Sequence, residues 1–185
     1  MQRESTVQQQ SGWLTASEHC PSPNYNERPD PSDISLLVIH NISLPPGDFG
    51  TGCIRDFFCN ELDCSAHPYF EQLRELRVSA HFLIERCGRL TQFVPLQQRA
   101  WHAGVSRFQG RENCNDFSIG IELEGTDEAA YTDAQYSRLA TLSRYLMSEY
   151  PALSAESICG HSDIAPERKT DPGPGFDWHR YRALL

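Results

Sequence analysis

The stretch Ser35 to Ile42, SLLVIHNI, restricts this chain more than any other. It is short, apolar and β-branched, with no polar alternation until its end. Such a run reads as a strand buried on both faces, and that strand needs cover above and below. A layered α/β or α+β domain supplies that cover. The run closes on His40 and Asn41, and polar groups at the end of a buried strand are often part of a site.

Other segments extend the layered reading. Val78 to Ile84 and Arg89 to Val94 flank Cys87-Gly88, a hairpin pattern. In Phe117 to Leu123, FSIGIEL, the residues Phe117, Ile119, Ile121 and Leu123 alternate with Ser118, Gly120 and Glu122. Period-two alternation predicts one buried face and puts Glu122 on the other. Thr132 with Gln135 forms a capping-box pattern, followed by Tyr136, Leu139, Ala140, Ser143, Leu146, Met147 and Tyr150 at helical spacing, and Pro151 ends the helix. A last short helix is expected over Asp177 to Leu184. The connection from Ser43 to Arg77 is long, with short helices expected near Ile54 to Asn60 and Tyr69 to Leu76. Connections of that length commonly serve as binding loops or lids. Residues 1–33, rich in Pro after position 20, read as a polar lead-in that wraps the surface.

At 185 residues, one domain with one core is expected. With 16 Lys and Arg against 25 Asp and Glu, the formal charge is -9, which argues against nucleic acid or an anionic membrane as partner. The polar, Gln-rich start from Met1 to Gly12 lacks the pattern of a secretion signal, so the expected location is the cytoplasm. The seven cysteines include no CxxC pair and are read as reduced thiols.

The chemistry concentrates in Gly160 to Gly173, GHSDIAPERKTDPG. Two prolines and two glycines shape it as an irregular loop holding His161, Asp163, Glu167, Arg168, Lys169 and Asp171. His161 and Asp171, ten residues apart, meet only if the loop folds back. With His40 from the strand end they make a His, His and carboxylate set with an open fourth position, the requirement of catalytic zinc. Hydrolysis also needs a base for water and positive charge beside the developing oxyanion. Glu122 and Glu124 lie on one strand face and compete for the first role; Lys169 and Arg168 compete for the second.

These residues and the motifs VIHNISLPPG, HPYF, LRVSAHFLIERCG, RAWHAGVS, CNDFSIGIELEGTD, YTDAQY, GHSDIAPERKTDPGP and FDW resemble the zinc-dependent N-acetylmuramoyl-L-alanine amidases, which include peptidoglycan recognition proteins. Within that family the similarity is to the anhydromuramyl-peptide amidases of cell-wall recycling, and it spans the chain from about Trp13. It implies a central mixed β-sheet flanked by helices, with the amidase domain over residues 34–185. It implies Zn2+ held by His40, His161 and Asp171, with Glu122 activating water and Lys169 steadying the tetrahedral intermediate. It places Asn41, Arg77, Trp101, His102 and Ala165 along the substrate groove, Arg77 toward a stem-peptide carboxylate and Trp101 against the sugar. The substrate it implies is a 1,6-anhydro-N-acetylmuramyl peptide, with no nucleic-acid or membrane partner and a monomeric enzyme. His19, His67, His81 and His179 are expected not to ligate metal, and Trp13 and Trp178 are assigned to packing.

Overall fold

The structure, a computed structural model, describes residues 8–185. The polar start up to Val7, on which part of the argument against a secretion signal rests, lies outside them.

Six strands form one mixed sheet. In chain order they are β1 (Glu18–His19), β2 (Leu36–Ile42), β3 (Phe82–Ile84), β4 (Leu90–Gln92), β5 (Ser118–Glu124) and β6 (Ile158–Gly160). Their spatial order is β6-β2-β5-β3-β4-β1. β6, β2, β5 and β3 run parallel, and β3 and β4 form the antiparallel hairpin. The helices are α1 (Cys53–Phe58), α2 (Asp133–Glu149), α3 (His161–Ile164) and α4 (Trp178–Arg182).

β2 is the buried strand its composition demands, with Leu36 through Ile39 fully covered. One sheet face packs Leu37, Ile39, Ile119, Ile121 and Leu123 under Leu139, Leu142 and Leu146 of α2. The opposite face is covered by two smaller clusters, one around Leu36, Val38 and Phe117, the other around Phe57, Phe58, Phe70 and Phe93. Each fully buried aliphatic or Phe side chain contributes about 1.5–3 kcal/mol. α2 opens with the expected box: the Gln135 amide donates to Thr132 Oγ1 and the Thr132 amide to Gln135 Oε1, both at 3.1 Å.

Several expectations need correcting. β5 alternates as read from Ile119 onward, but Phe117 precedes the strand and packs with Leu36 and Val38 in the opposite cluster, and all seven strand residues are buried, because loops cover the polar face. The hairpin's first strand starts at Phe82; the Ser79 and His81 amides go instead to Trp101 O and Gly120 O, outside the hairpin ladder. The second turn of the long connection is a 3-10 helix over Pro68–Leu73. The 160–173 segment opens with α3 before becoming irregular. The lead-in does more than wrap the surface. It adds edge strand β1 beside β4, sinks Leu14 into the core and buries Arg28, which donates to Asn115 O, Asp116 O and Ser118 O. Arg28 can be buried because those fixed carbonyls replace its water, though burial still lowers its pKa to about 10.

Candidate active site

Parallel pairing brings the chemistry together. Glu122 on β5 pairs with His40 on β2, so both project from the same sheet face at the C-terminal ends of adjacent strands. On the other side of β2, Gly160 pairs with Ile39, and the next residue, His161, begins α3 beside His40. The loop then folds back: the Ser162 amide donates to Asp171 O at 2.9 Å, and Pro172 O accepts from Tyr131 Oη and Asn41 Nδ2. A side chain at Gly160 would meet Pro172 Cδ at 2.7 Å, so that close return requires glycine.

His40 Nδ1, His161 Nδ1 and Asp171 Oδ2 form a triangle with edges of 3.0, 3.0 and 3.2 Å. Donors on a tetrahedral ion with bonds of about 2.0–2.1 Å stand roughly 3.3 Å apart, so the triangle fits a small divalent cation. Two imidazole lone pairs and a carboxylate facing one another repel unless a cation or proton lies between them. Both outer ring nitrogens are held as well: His161 Nε2 lies 3.0 Å from Ala103 O, and His40 Nε2 2.9 Å from His102 Nδ1. Such outer partners fix the tautomer and orientation of ligand histidines. Among the described residues, this is the only group of three or more His, Cys, Asp or Glu that could hold a metal ion.

The charge states suit ligands. Burial lowers the pKa of His40 to about 4, against an opposing hydrogen bond that the protonated ring would donate to Asp171, so its imidazole is neutral near pH 7. Burial alone would raise Asp171, but contacts with His161 and His40, which stabilise the carboxylate whenever those rings carry the shared proton, outweigh it and hold the group well below its usual range. Glu122 moves the other way. Burial first, then the Asp171 charge, pushes it well above the usual carboxylate range, opposed by Lys169. Its Oε2 is buried with no hydrogen-bond partner.

His40, His161, Asp171, Glu122 and Lys169 share a groove of about 620 Å³ with Asn41, Trp101 and His102. Phe57, Phe58, Tyr69, Leu73 and Leu76 of the long 43–77 connection line the same groove. The two open alternatives are now distinguishable. Glu124 is engaged by the Gly50 and Arg86 amides, at 2.6 and 3.0 Å, leaving Glu122 as the unpaired carboxylate. Arg168 is engaged by the carbonyls of Ala103 and Val105, leaving Lys169 facing the groove.

The remaining expected groove residues divide. Asn41 donates to Asp127 Oδ1 at 2.7 Å, and Trp101 Nε1 to Asn26 Oδ1 at 2.6 Å. Arg77 does not line this groove; it borders a neighbouring hollow, and its guanidinium donates to the carbonyls of Arg74 and Leu76. Ala165 is buried and does not line the groove; its carbonyl accepts the Arg168 and Lys169 amides. Of the other histidines, His81 is the expected core residue: its Nδ1 accepts from the Gly120 amide. The reading from sequence missed Ser118, whose Oγ lies 3.1 Å from His102 Nε2. The alternation of β5 had already placed it on the face of Glu122.

Residues 30–174 match the family model described as N-acetylmuramoyl-L-alanine amidase. The chain belongs to the N-acetylmuramoyl-L-alanine amidase family. It is a hydrolase of the amide bond. It is 60% identical over 174 residues to the 1,6-anhydro-N-acetylmuramyl-L-alanine amidase AmpD of Salmonella typhimurium (strain SL1344), covering 94% of this chain and 92% of that protein. The crystal structure of a selenomethionine AmpD derivative superposes with a TM-score of 0.93 at 59% identity, covering 96% of this chain and 99% of that one. The amidase AmiD from E. coli, solved with the substrate anhydro-N-acetylmuramic acid-L-Ala-D-gamma-Glu-L-Lys, superposes with a TM-score of 0.60 at 27% identity, covering 96% of this chain and 65% of that one. No helix among the described residues is long and apolar enough to cross a membrane.

Proposed function

We propose that this amidase is a zinc enzyme that cuts the bond between the lactyl group of 1,6-anhydro-N-acetylmuramic acid and the L-alanine of the stem peptide. One observation supports it above the rest: a three-donor triangle of metal-site dimensions shares its groove with a carboxylate whose buried oxygen has no partner. His40, His161 and Asp171 would hold the ion. A zinc ion there would supply Lewis acidity toward the scissile carbonyl and a water. Glu122 Oε2 takes the proton from the attacking water and returns it to the leaving nitrogen of L-alanine. The Lys169 ammonium offsets the negative charge that develops on the carbonyl oxygen. Asn41, Trp101 and His102 form the substrate walls nearest the ion.

The anhydro-sugar specificity follows the relatives named for that substrate, and a place in cytoplasmic recycling of wall fragments follows the resemblance in the sequence motifs. A monomer suffices, since every residue named for the site belongs to one chain. A binding module that no longer cuts is disfavoured by the intact donor set and the unpaired base.

The test is release of free stem peptide from an anhydromuropeptide, followed by chromatography and mass spectrometry. Release stops on chelation and returns with zinc. Binding without release would overturn the catalytic reading, and equal turnover of the reduced, non-anhydro muropeptide would overturn the substrate reading.

A further inference from the structure

We propose that Asn115 is a positioning residue for the metal centre, holding both ligand histidines through a single dipeptide, His102–Ala103. The proposal rests on the metal-centre reading above. The outer nitrogens of the two imidazoles rest on adjacent residues of one loop: His40 Nε2 on His102 Nδ1 at 2.9 Å, and His161 Nε2 on Ala103 O at 3.0 Å. The amides of that dipeptide both donate to one atom, Asn115 Oδ1, at 3.1 Å from His102 and 2.8 Å from Ala103.

Asn115 is 5% exposed, sits in the 3-10 turn Cys114–Asp116 just before β5, and lies outside the groove lining. The turn is itself anchored. Arg28 Nη1 donates to Asn115 O at 3.0 Å, and the Cys114 amide donates to Ser106 Oγ at 3.1 Å. The carboxamide therefore ties a loop to the rigid sheet end at the point where that loop carries the support of both ligands.

The proton pattern shows why that position matters. A carbonyl only accepts, so Ala103 O requires the proton of His161 on Nε2 and leaves Nδ1 with its lone pair toward the triangle. On the other arm, His40 Nε2–H donating to His102 Nδ1, and His102 Nε2–H to Ser118 Oγ, leaves His40 Nδ1 equally free. Reversing that relay would put a proton on His40 Nδ1 and remove it as a donor. Displacing the dipeptide disturbs both arms together, so the loss is in metal affinity first.

The full chain is loaded with zinc, and its affinity is measured by chelator competition beside apo and holo melting temperatures and kcat and KM at saturating zinc. Asn115→Ala releases the dipeptide that carries both outer partners and weakens zinc binding by up to about 10–100-fold, the effect of losing such a partner. Asn115→Asp keeps an acceptor in place and restores affinity to within about threefold of the parent. If the alanine variant does not fold, Asn115→Ser takes its place with the same loss expected. A folded Ala or Ser variant that melts lower without zinc yet binds zinc as the parent does overturns the proposal, as does an Asp variant as weak as Ala. A parent chain that retains no zinc overturns the metal-centre reading, a distinct result.

Discussion

Replacing Glu122 by Gln should cost the enzyme its rate and gain it stability. Glu122 is 9% exposed on a strand covered on both faces, and its Oε2 has no partner. An unsatisfied buried polar atom costs about 1–3 kcal/mol, and more when charged. Gln keeps a polar amide there, so it recovers the charged part of that cost, about 1–2 kcal/mol. For a chain of this size, that raises Tm by about 2–8 °C. The sign follows from the raised pKa. A carboxyl whose folded pKa lies above its unfolded value stabilises most below the unfolded value, and the contribution is lost as pH rises through the folded one. The gain from Gln is therefore expected at pH 7–8 and absent near pH 4, where the carboxyl is protonated in both states. Calorimetry of the chelated parent and variant at both pH values reads it directly. With zinc present the gain shrinks, since the cation offsets the carboxylate. Turnover falls by about two to four decades, the worth of a general base, and zinc content is unchanged. A variant less stable than the parent at pH 8, or one that keeps its rate, would refute the reasoning.

The other expected outcomes test separate links. Asp171→Ala removes one of three donors, so metal analysis should show zinc lost and turnover abolished. Lys169→Met should lower kcat by about 10²–10³-fold with little change in KM, as steady-state kinetics at saturating zinc would show. Gly120→Ala would place a Cβ 2.4 Å from His102 Cγ, so the ring must move. Overpacking of that kind costs about 1–3 kcal/mol, and chelator competition should show weaker zinc binding as well. Thr132→Ala removes the α2 cap and should lower stability by about 1 kcal/mol in denaturant titrations, with activity unchanged.

The sequence made the scaffold legible where one physical rule dominates locally. β2 announces itself by unbroken hydrophobicity, α2 by its box and periodicity, and the faces of β5 by alternation. What stayed hidden depends on partners far along the chain. Full burial of β5 cannot be read from its own seven residues, because the cover comes from loops such as the one carrying His102. Likewise, the lead-in's contribution to the sheet rests on β1 pairing with β4, some seventy residues away. The choice between Glu122 and Glu124 was open for the same reason: spacing gives the face, and only tertiary contacts say which carboxylate is already engaged. Arg77 was expected beside the substrate, but its guanidinium is engaged by the carbonyls of Arg74 and Leu76, at a neighbouring hollow.

The polar face of β5 shows how the fold separates structure from chemistry. Four of its residues point toward the site side, and three are fully used. Ser118 meets His102, Gly120 leaves room for the His102 ring, and Glu124 accepts two amides. Glu122 alone keeps an unpaired oxygen, between an apolar sheet and three converging donors. Arg86 Nη1 and Thr91 Oγ1 are also buried without a partner, but neither is a carboxylate oxygen and neither lines the groove. A single orphaned carboxylate oxygen, desolvated and beside a metal-sized triangle, is the arrangement that raises basicity where a water must lose its proton. The instability carried at Glu122 and the reactivity assigned to it then have one physical origin, the burial of a charge without its partner. For that reason the gain in melting temperature and the loss of rate in the Gln variant must appear together.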